Sequence, residues 1–160
     1  MQSVLKIIFP TQCIGCGVLV EDEGALCGSC WRDTPFVVGA NCAQCGIGLR
    51  GHAPGDTDAL CDDCLKIARP WRRGVAVFHY AGAGRRLVLA LKHGDRLDLA
   101  APLGRWMLER ARPIIVPGTV VVPVPIPWRR MVKRRFNQSA ELARHLAQAG
   151  GLHYVPDALR

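Results

Sequence analysis

Four Cys-x-x-Cys pairs crowd the front of this chain: C-I-G-C at Cys13 and Cys16, C-G-S-C at Cys27 and Cys30, C-A-Q-C at Cys42 and Cys45, and C-D-D-C at Cys61 and Cys64. Two thiolates three positions apart on a tight turn occupy two corners of a Zn²⁺ tetrahedron with Zn–S of about 2.3 Å, and two such pairs close a structural site. Ten residues separate the first two pairs and fifteen the last two, each the length of a short hairpin returning to the metal. A sequential assignment puts Cys13, Cys16, Cys27 and Cys30 on one zinc and Cys42, Cys45, Cys61 and Cys64 on another. The eleven residues between the second and third pairs leave an interleaved assignment open.

Other cysteine chemistries fit less well. A disulfide framework needs an oxidising compartment, and the start, MQSVLKIIFPTQC, has one lysine and an apolar run broken by Pro10, so a secretory leader is not expected there. Thioredoxin-like redox chemistry uses one pair beside a βαβ pattern, not four in a row. Iron–sulfur ligation is the remaining alternative to zinc. Because the ribbon segment has few large apolar side chains, metal binding is expected to supply much of its stability. Closed four-sulfur sites leave no open coordination position, so zinc catalysis is not expected.

All eight cysteines precede residue 65, and the charge divides at the same place. Residues 1–70 carry five Lys/Arg against eight Asp/Glu, a net of −3, whereas residues 71–160 carry sixteen against five, a net of +11. The expected organisation is therefore a zinc module over 1–70 and an ordinary α/β segment over 71–160, the second half being the one to attract an anionic partner. No apolar stretch approaches the roughly 18–20 residues that cross a bilayer, so a cytoplasmic protein without membrane insertion is expected.

The linker KIARPWRRG leads into the second segment. There GVAVFHY (74–80) reads as a strand, AGAG as a turn and RRLVLALKHGD as a helix with Leu87 and Leu91 on its apolar face. A second helix runs through LDLAAPLGRWMLERAR, where Pro102 is tolerable only in the first turn and Leu103, Trp106 and Met107 have core spacing. TVVVPV (119–124) reads as a buried strand, Asn137 as the cap of a helix ending at Gly150 and Gly151, and LHYV as a further strand. Strand–helix alternation predicts an α/β domain with a mainly parallel sheet. In such sheets ligands bind beyond the carboxyl ends of strands, which is where VPVPIPWRRMVKRRFNQ lies. Pro123, Pro125 and Pro127 stop ladder pairing, and Arg129, Arg130, Lys133, Arg134 and Arg135 follow ahead of the next helix's N-terminus. Phosphate binding and a solvated basic loop both account for that pattern.

Together the four pairs, the block from Tyr80 to Arg96 (YAGAGRRLVLALKHGDR) and the block from Val122 to Ala143 resemble the ComF family of bacterial competence-related proteins. The resemblance, which runs from about Phe9 to Ala147, implies a double zinc ribbon followed by a type I phosphoribosyltransferase-like domain. It marks Tyr80, Gly82, Arg85, Lys92, Asp95 and Arg96 as the first block. It also implies that Pro125, Arg129, Arg130, Arg134 and Asn137 hold the pyrophosphate of 5-phosphoribosyl-1-diphosphate (PRPP), with Mg²⁺ accompanying PRPP in a complete domain. Arg135 stands where the family has glycine in Arg-Gly-Phe-Asn-Gln, a substitution that disfavours positive φ in the loop.

The family's PRPP motif, two acidic residues after a strand and then Thr-Thr-Gly-x-Thr, does not occur among these residues, and Asp62–Asp63 sits inside a cysteine pair. The chain resembles the front two-thirds of such a protein, so residues 1–160 alone are expected to lack phosphoribosyl transfer. The resemblance further implies a role in DNA uptake or processing and a competence helicase as a partner of the ribbons. The alternative is a nonenzymatic zinc module that binds single-stranded DNA through the basic half, with Trp71, Trp106 and Trp128 available for stacking.

Overall fold

A computed structural model describes residues 10–49, 51, 58–94, 96–127 and 136–159. The front is built from two zinc-ribbon units with the same local hydrogen bonds. In the first, Cys13 N–H donates to Val18 O at 2.7 Å and Gly17 N–H to Cys13 O at 2.9 Å; in the second, Cys42 N–H donates to Ile47 O and Gly46 N–H to Cys42 O, both at 2.8 Å. Gly17 and Gly46 hold φ of 80° and 77°, the left-handed conformation that lets the chain turn back just past the second cysteine of each pair. Each unit is completed by a five-residue helix, α1 (Gly28–Arg32) and α2 (Asp62–Lys66), with Cys27 and Cys61 at the N-caps and Cys30 and Cys64 inside. Ile14 N–H to Ala25 O and Ala43 N–H to Ala59 O tie the two arms of each unit alike.

The rear half is an α/β arrangement. Helix α3 (Gly82–His93) buries Ala83, Leu87 and Leu91, spaced by four, and α4 (Ala100–Ala111), entered through a 3₁₀ turn at Leu97–Leu99, buries Ala100, Leu103, Gly104 and Leu108. Pro102 lies in the first turn of α4, as its missing N–H requires. A second 3₁₀ turn, Arg112–Ile114, leads to β1 (Val120–Val121), and α5 (Gln138–Gly150) leads to β2 (His153–Tyr154). β1 and β2 pair in parallel, Val120 with His153 and Val121 with Tyr154, the chain crossing between them through α5. Helices α4 and α5 meet closely because Gly104 has no Cβ; one placed there would lie 2.8 Å from His145 Cβ.

The core joins Leu87, Leu91, Leu99, Ala100 and Leu103 to Ile14, the residue after the first zinc-ribbon cysteine. The first ribbon is thus part of the core rather than an appendage. No helix among the described residues is long and apolar enough to cross a membrane.

Several expected elements differ from the structure. Residues 74–80 form no strand and join no parallel sheet. Phe78 makes a single antiparallel bridge to Phe36, while Val37 N–H and His79 N–H donate to Val77 O and Pro35 O. Their apolar pattern is satisfied by the first ribbon and by the face of α3, where Phe78 packs on Gly84. The predicted AGAG turn is absorbed into α3 from Gly82 onward. The strand expected over 119–124 shortens to two paired residues, and Val120 and Val124 are 46% and 67% exposed rather than buried. Pro123 has no N–H with which to extend the ladder, and among the described residues β1 has one neighbour. The Asn137 cap, the Gly151 terminus with φ of 62° and the strand at 153–154 are as expected.

Candidate functional site

The thiols of Cys13, Cys16, Cys27 and Cys30 converge, as do those of Cys42, Cys45, Cys61 and Cys64, with the Sγ atoms of each set within 4.8 Å of one another. The grouping is sequential, not interleaved. A tetrahedron with Zn–S of about 2.3 Å has edges of roughly 3.8 Å, close to the 3.5 Å between Cys16 and Cys27 and the 3.7 Å between Cys45 and Cys61. These separations are far beyond a disulfide bond, and all eight cysteines are free. The residues fit two structural zinc ions.

Backbone amides turn toward the sulfurs. Cys27 N–H and Gly15 N–H point at Cys13 Sγ at 3.2 and 3.4 Å, and the Ser29 hydroxyl lies 3.1 Å from Cys27 Sγ. That hydroxyl and then the Cys30 N–H hold the Cys27 thiol down to about 6. Burial works against Cys42, but the N–H groups of Cys61, Cys45 and Gln44 outweigh it and hold that thiol at about 6. Desolvation by burial, reinforced by the neighbouring sulfurs, pushes Cys30 to about 12; burial, reinforced by Cys42, Cys61 and Cys64, does the same to Cys45, although the Ile47 N–H opposes it. Four clustered thiols therefore do not all ionise in the neutral range against protons alone. A divalent cation removes that conflict, which is the electrostatic reason that these sites take a metal.

Of the residues expected to bind phosphate, Arg129, Arg130 and Arg134 lie outside the described residues, as does Asp95 of the first block. The described segments on either side of them are tied together: Val124 N–H donates to Ser139 Oγ at 2.9 Å and Asn137 Nδ2 donates to Val124 O at 3.1 Å. Asn137 Oδ1 accepts the Ser139 N–H at 3.0 Å, so both ends of its amide are engaged within the protein. Pro125 is exposed and directly follows Val124 of this clasp.

The two sequence blocks meet where the buried Gln138 donates through Nε2 to Lys92 O at 3.3 Å. Lys92, Asn137, Gln138, Ser139 and Val124 line one part of a cleft of about 550 Å³ whose remaining lining is apolar, including Phe78 and Leu103. Tyr80, Gly82, Arg85 and Arg96 of the first block do not line this cleft. Arg85 sits over the Tyr80 ring at 5.8 Å, Gly82 holds φ of 52° against Asp33, and Arg96 forms a two-pronged pair with Asp98 at 2.8 and 2.7 Å.

Sequence reasoning missed the polar groups around the metal sites. Trp71 Nε1 donates to Gln44 O at 2.6 Å, inside the third cysteine pair, and Gly74 N–H donates to Ala43 O at 3.2 Å, so the linker clasps the second ribbon. Only the position of Ser29 between Cys27 and Cys30 was a readable signal. Trp106 packs edge-on against Phe36 at 5.5 Å, a core contact rather than a stacking platform.

A double zinc ribbon domain model matches residues 4–70. The DNA utilization protein YhgH of Salmonella typhi is 34% identical over 135 residues, covering 81% of this chain and 56% of that protein. The protein of the same name from Escherichia coli strain K12 is 33% identical over 114 residues, covering 67% and 47%. Competence protein F of Haemophilus influenzae is 25% identical over 150 residues, covering 88% and 61%. The chain spans about half the length of the curated relatives it matches. No solved structure matches it.

Proposed function

The chain belongs to the ComF family, and from that membership we propose a competence- or DNA-utilisation-related protein whose two ribbons are structural and whose basic loop binds the pyrophosphate of PRPP. The supporting observation is the clasp between Val124, Asn137 and Ser139. It ties the exit of β1 to the N-terminus of α5, joining the two described segments that flank Arg129, Arg130 and Arg134 in the sequence. A helix N-terminus favours anions, and guanidinium groups bind phosphate oxygens in pairs. Pro125 stiffens the approach, and Asn137 sets the loop's closing geometry.

Phosphoribosyl transfer needs a second clamp of acidic residues that would hold the ribose hydroxyls and Mg²⁺, and residues 1–160 contain no such motif. The reading for residues 1–160 is accordingly confined to pyrophosphate binding. The test is calorimetric titration of the full 160-residue chain with pyrophosphate, with Arg129→Glu, Arg130→Glu and Arg134→Glu combined. Binding by the parent and its loss in the triple variant support the reading; equal affinity in both overturns it.

A second reading, single-stranded DNA binding by the same half, is favoured by its net charge of +11 and by the relatives' printed names. Phosphate contacts would give a steep salt dependence. DNA affinity and salt slope unchanged by the same triple variant would remove the loop from that role. The ribbons would then be the face offered to a protein partner such as a competence helicase.

A further inference from the structure

The second ribbon has an open backbone edge beside two arginines. Leu49 N–H donates to Ala40 O at 2.9 Å and Cys42 N–H to Ile47 O at 2.8 Å, so Asn41 faces Gly48 between hydrogen bonds rather than within a bonded pair. At such a position the backbone N–H points away from the partner strand. Two residues on, Ala43 shows how that outer edge is closed: its N–H donates to Ala59 O at 2.9 Å, and its carbonyl accepts the Gly74 N–H at 3.2 Å. The Asn41 N–H has no backbone acceptor among the described residues.

A cleft of about 240 Å³ lies there, between the second ribbon and the α/β half. Asn41 lines it from the ribbon, Arg73 and Gly74 from the linker, and Arg110 and Pro113 from α4 and the turn that follows. Among the described residues no Asp or Glu lines it. Sites for drug-sized ligands start at roughly 300 Å³, so this one suits a single small polar group.

The two guanidinium groups are held differently. Arg110 is half-buried, and its Nε donates to Ala76 O at 3.3 Å, which sets the plane of the group and leaves its Nη atoms without an acceptor among the described residues. Guanidinium groups take phosphate oxygens through parallel N–H bonds, and an unspent Nη edge is what such recognition needs. Arg73 is paired with Asp58 at 3.4 Å, but the two side chains are 49% and 86% exposed. A pair so open to water contributes little, so a phosphate can displace Asp58 from it.

We infer that this cleft is a phosphate-binding site, in which Arg110 and Arg73 take the oxyanion from two elements and Asn41 donates to it. The ligand class is a phosphate group, free or as a phosphodiester of a single strand. The site uses none of Arg129, Arg130 and Arg134, so it stands or falls separately from the pyrophosphate reading. Because Asn41 and Arg73 come from the ribbon and linker and Arg110 from α4, an occupant also braces the junction between the halves.

The test uses the full zinc-loaded chain carrying Arg129→Glu, Arg130→Glu and Arg134→Glu, so that failure of the pyrophosphate site and failure of this one are read apart. Inorganic phosphate and, separately, a short oligothymidine are titrated at constant ionic strength while backbone amide and arginine Nε signals are followed by ¹⁵N NMR. Saturable shifts at the Asn41 and Gly74 amides and at Arg110 Nε are expected with at least one probe. Saturation by inorganic phosphate assigns a free-phosphate site, and saturation by the oligothymidine alone a phosphodiester site. Arg110→Gln and Arg73→Gln are each expected to weaken binding by about tenfold. Asp58→Asn, which releases Arg73, is expected to tighten it by about two- to fivefold. Asp157→Asn adds the same net charge at an exposed position after β2 and is expected to leave affinity unchanged. Damage to the fold does not produce tighter binding, so this pair keeps the test clear of unfolding. No shift with either probe, the same shifts with chloride alone, unchanged affinity in both Gln variants, or Asp58→Asn binding no tighter than Asp157→Asn would overturn the inference.

Discussion

Gly17 and Gly46 offer a controlled pair of perturbations. Both lie one residue past a second cysteine, at φ of 80° and 77°, and both donate N–H to the carbonyl of the first cysteine of their pair. An alanine at either position bears the same left-handed cost, about 1–2 kcal/mol. Their surroundings differ completely. A Cβ on Gly17 meets nothing within 4 Å, whereas one on Gly46 would lie 2.6 Å from Ala76 N, Val75 C and Val75 Cα. The clash is with backbone, which cannot rotate away. The 74–76 segment must retreat, straining the bonds from Gly74 N–H to Ala43 O and from Trp71 Nε1 to Gln44 O. Overpacking of this kind costs about 1–3 kcal/mol, so Gly46→Ala should be less stable than Gly17→Ala by about that amount. The assay is urea unfolding at fixed free zinc, read by tryptophan fluorescence, because a bound metal adds its own stabilisation. Proteolysis of the 66–74 linker should increase in Gly46→Ala alone. Equal midpoints and equal linker cleavage in the two variants would show that the linker is not clasped to the second ribbon.

Further expectations follow from the same geometry. Cys64→Ser and Cys30→Ser should each reduce bound zinc from two ions to one by mass spectrometry under native conditions; retention of two would mean that the tetrads are not independent. Leu99→Ala, at a side chain with no solvent exposure, should cost about 2–5 kcal/mol in urea unfolding. A loss under 1 kcal/mol would deny Leu99 its place in the core. Zinc affinity should rise with pH through the neutral range. Near neutrality Cys27 and Cys42, held at about 6, are ionised, while Cys30 and Cys45, at about 12, carry protons that the metal must displace. Because the first two have lowered values, the ligand capacity they supply is present above about 6 and is lost as pH falls through it. Competitive zinc titration at several pH values measures this, and a flat profile would contradict it.

The contrast between Phe78 and Asn137 shows where local reading succeeds. Asn137 caps α5 because an Asn side chain reaches the N–H two residues on, a contact set within three residues of chain. Ala83, Leu87 and Leu91 face inward for the same kind of reason, a repeat that matches the helical turn. Phe78 belongs to an equally strand-like run, but a strand is defined by its neighbour. Its neighbour is Phe36, forty-two residues earlier, in the ribbon. No periodicity within 74–80 specifies that partner.

The metal sites divide along the same line. Four Cys-x-x-Cys pairs, each a local turn presenting two sulfurs, were enough by themselves to point to a front module with two four-cysteine metal sites, zinc being the favoured ion. Which pairs share a metal was open, since loops of ten, eleven and fifteen residues close at similar entropic cost. The fold decided it by bringing Cys13, Cys16, Cys27 and Cys30 to one point and Cys42, Cys45, Cys61 and Cys64 to another. Only the tertiary structure placed Ile14 in the α/β core, clasped Trp71 on Gln44 and set Arg86 against the end of α1. Those contacts join residues far apart in the chain, and their energy comes from burial and charge pairing across elements, which no local pattern records.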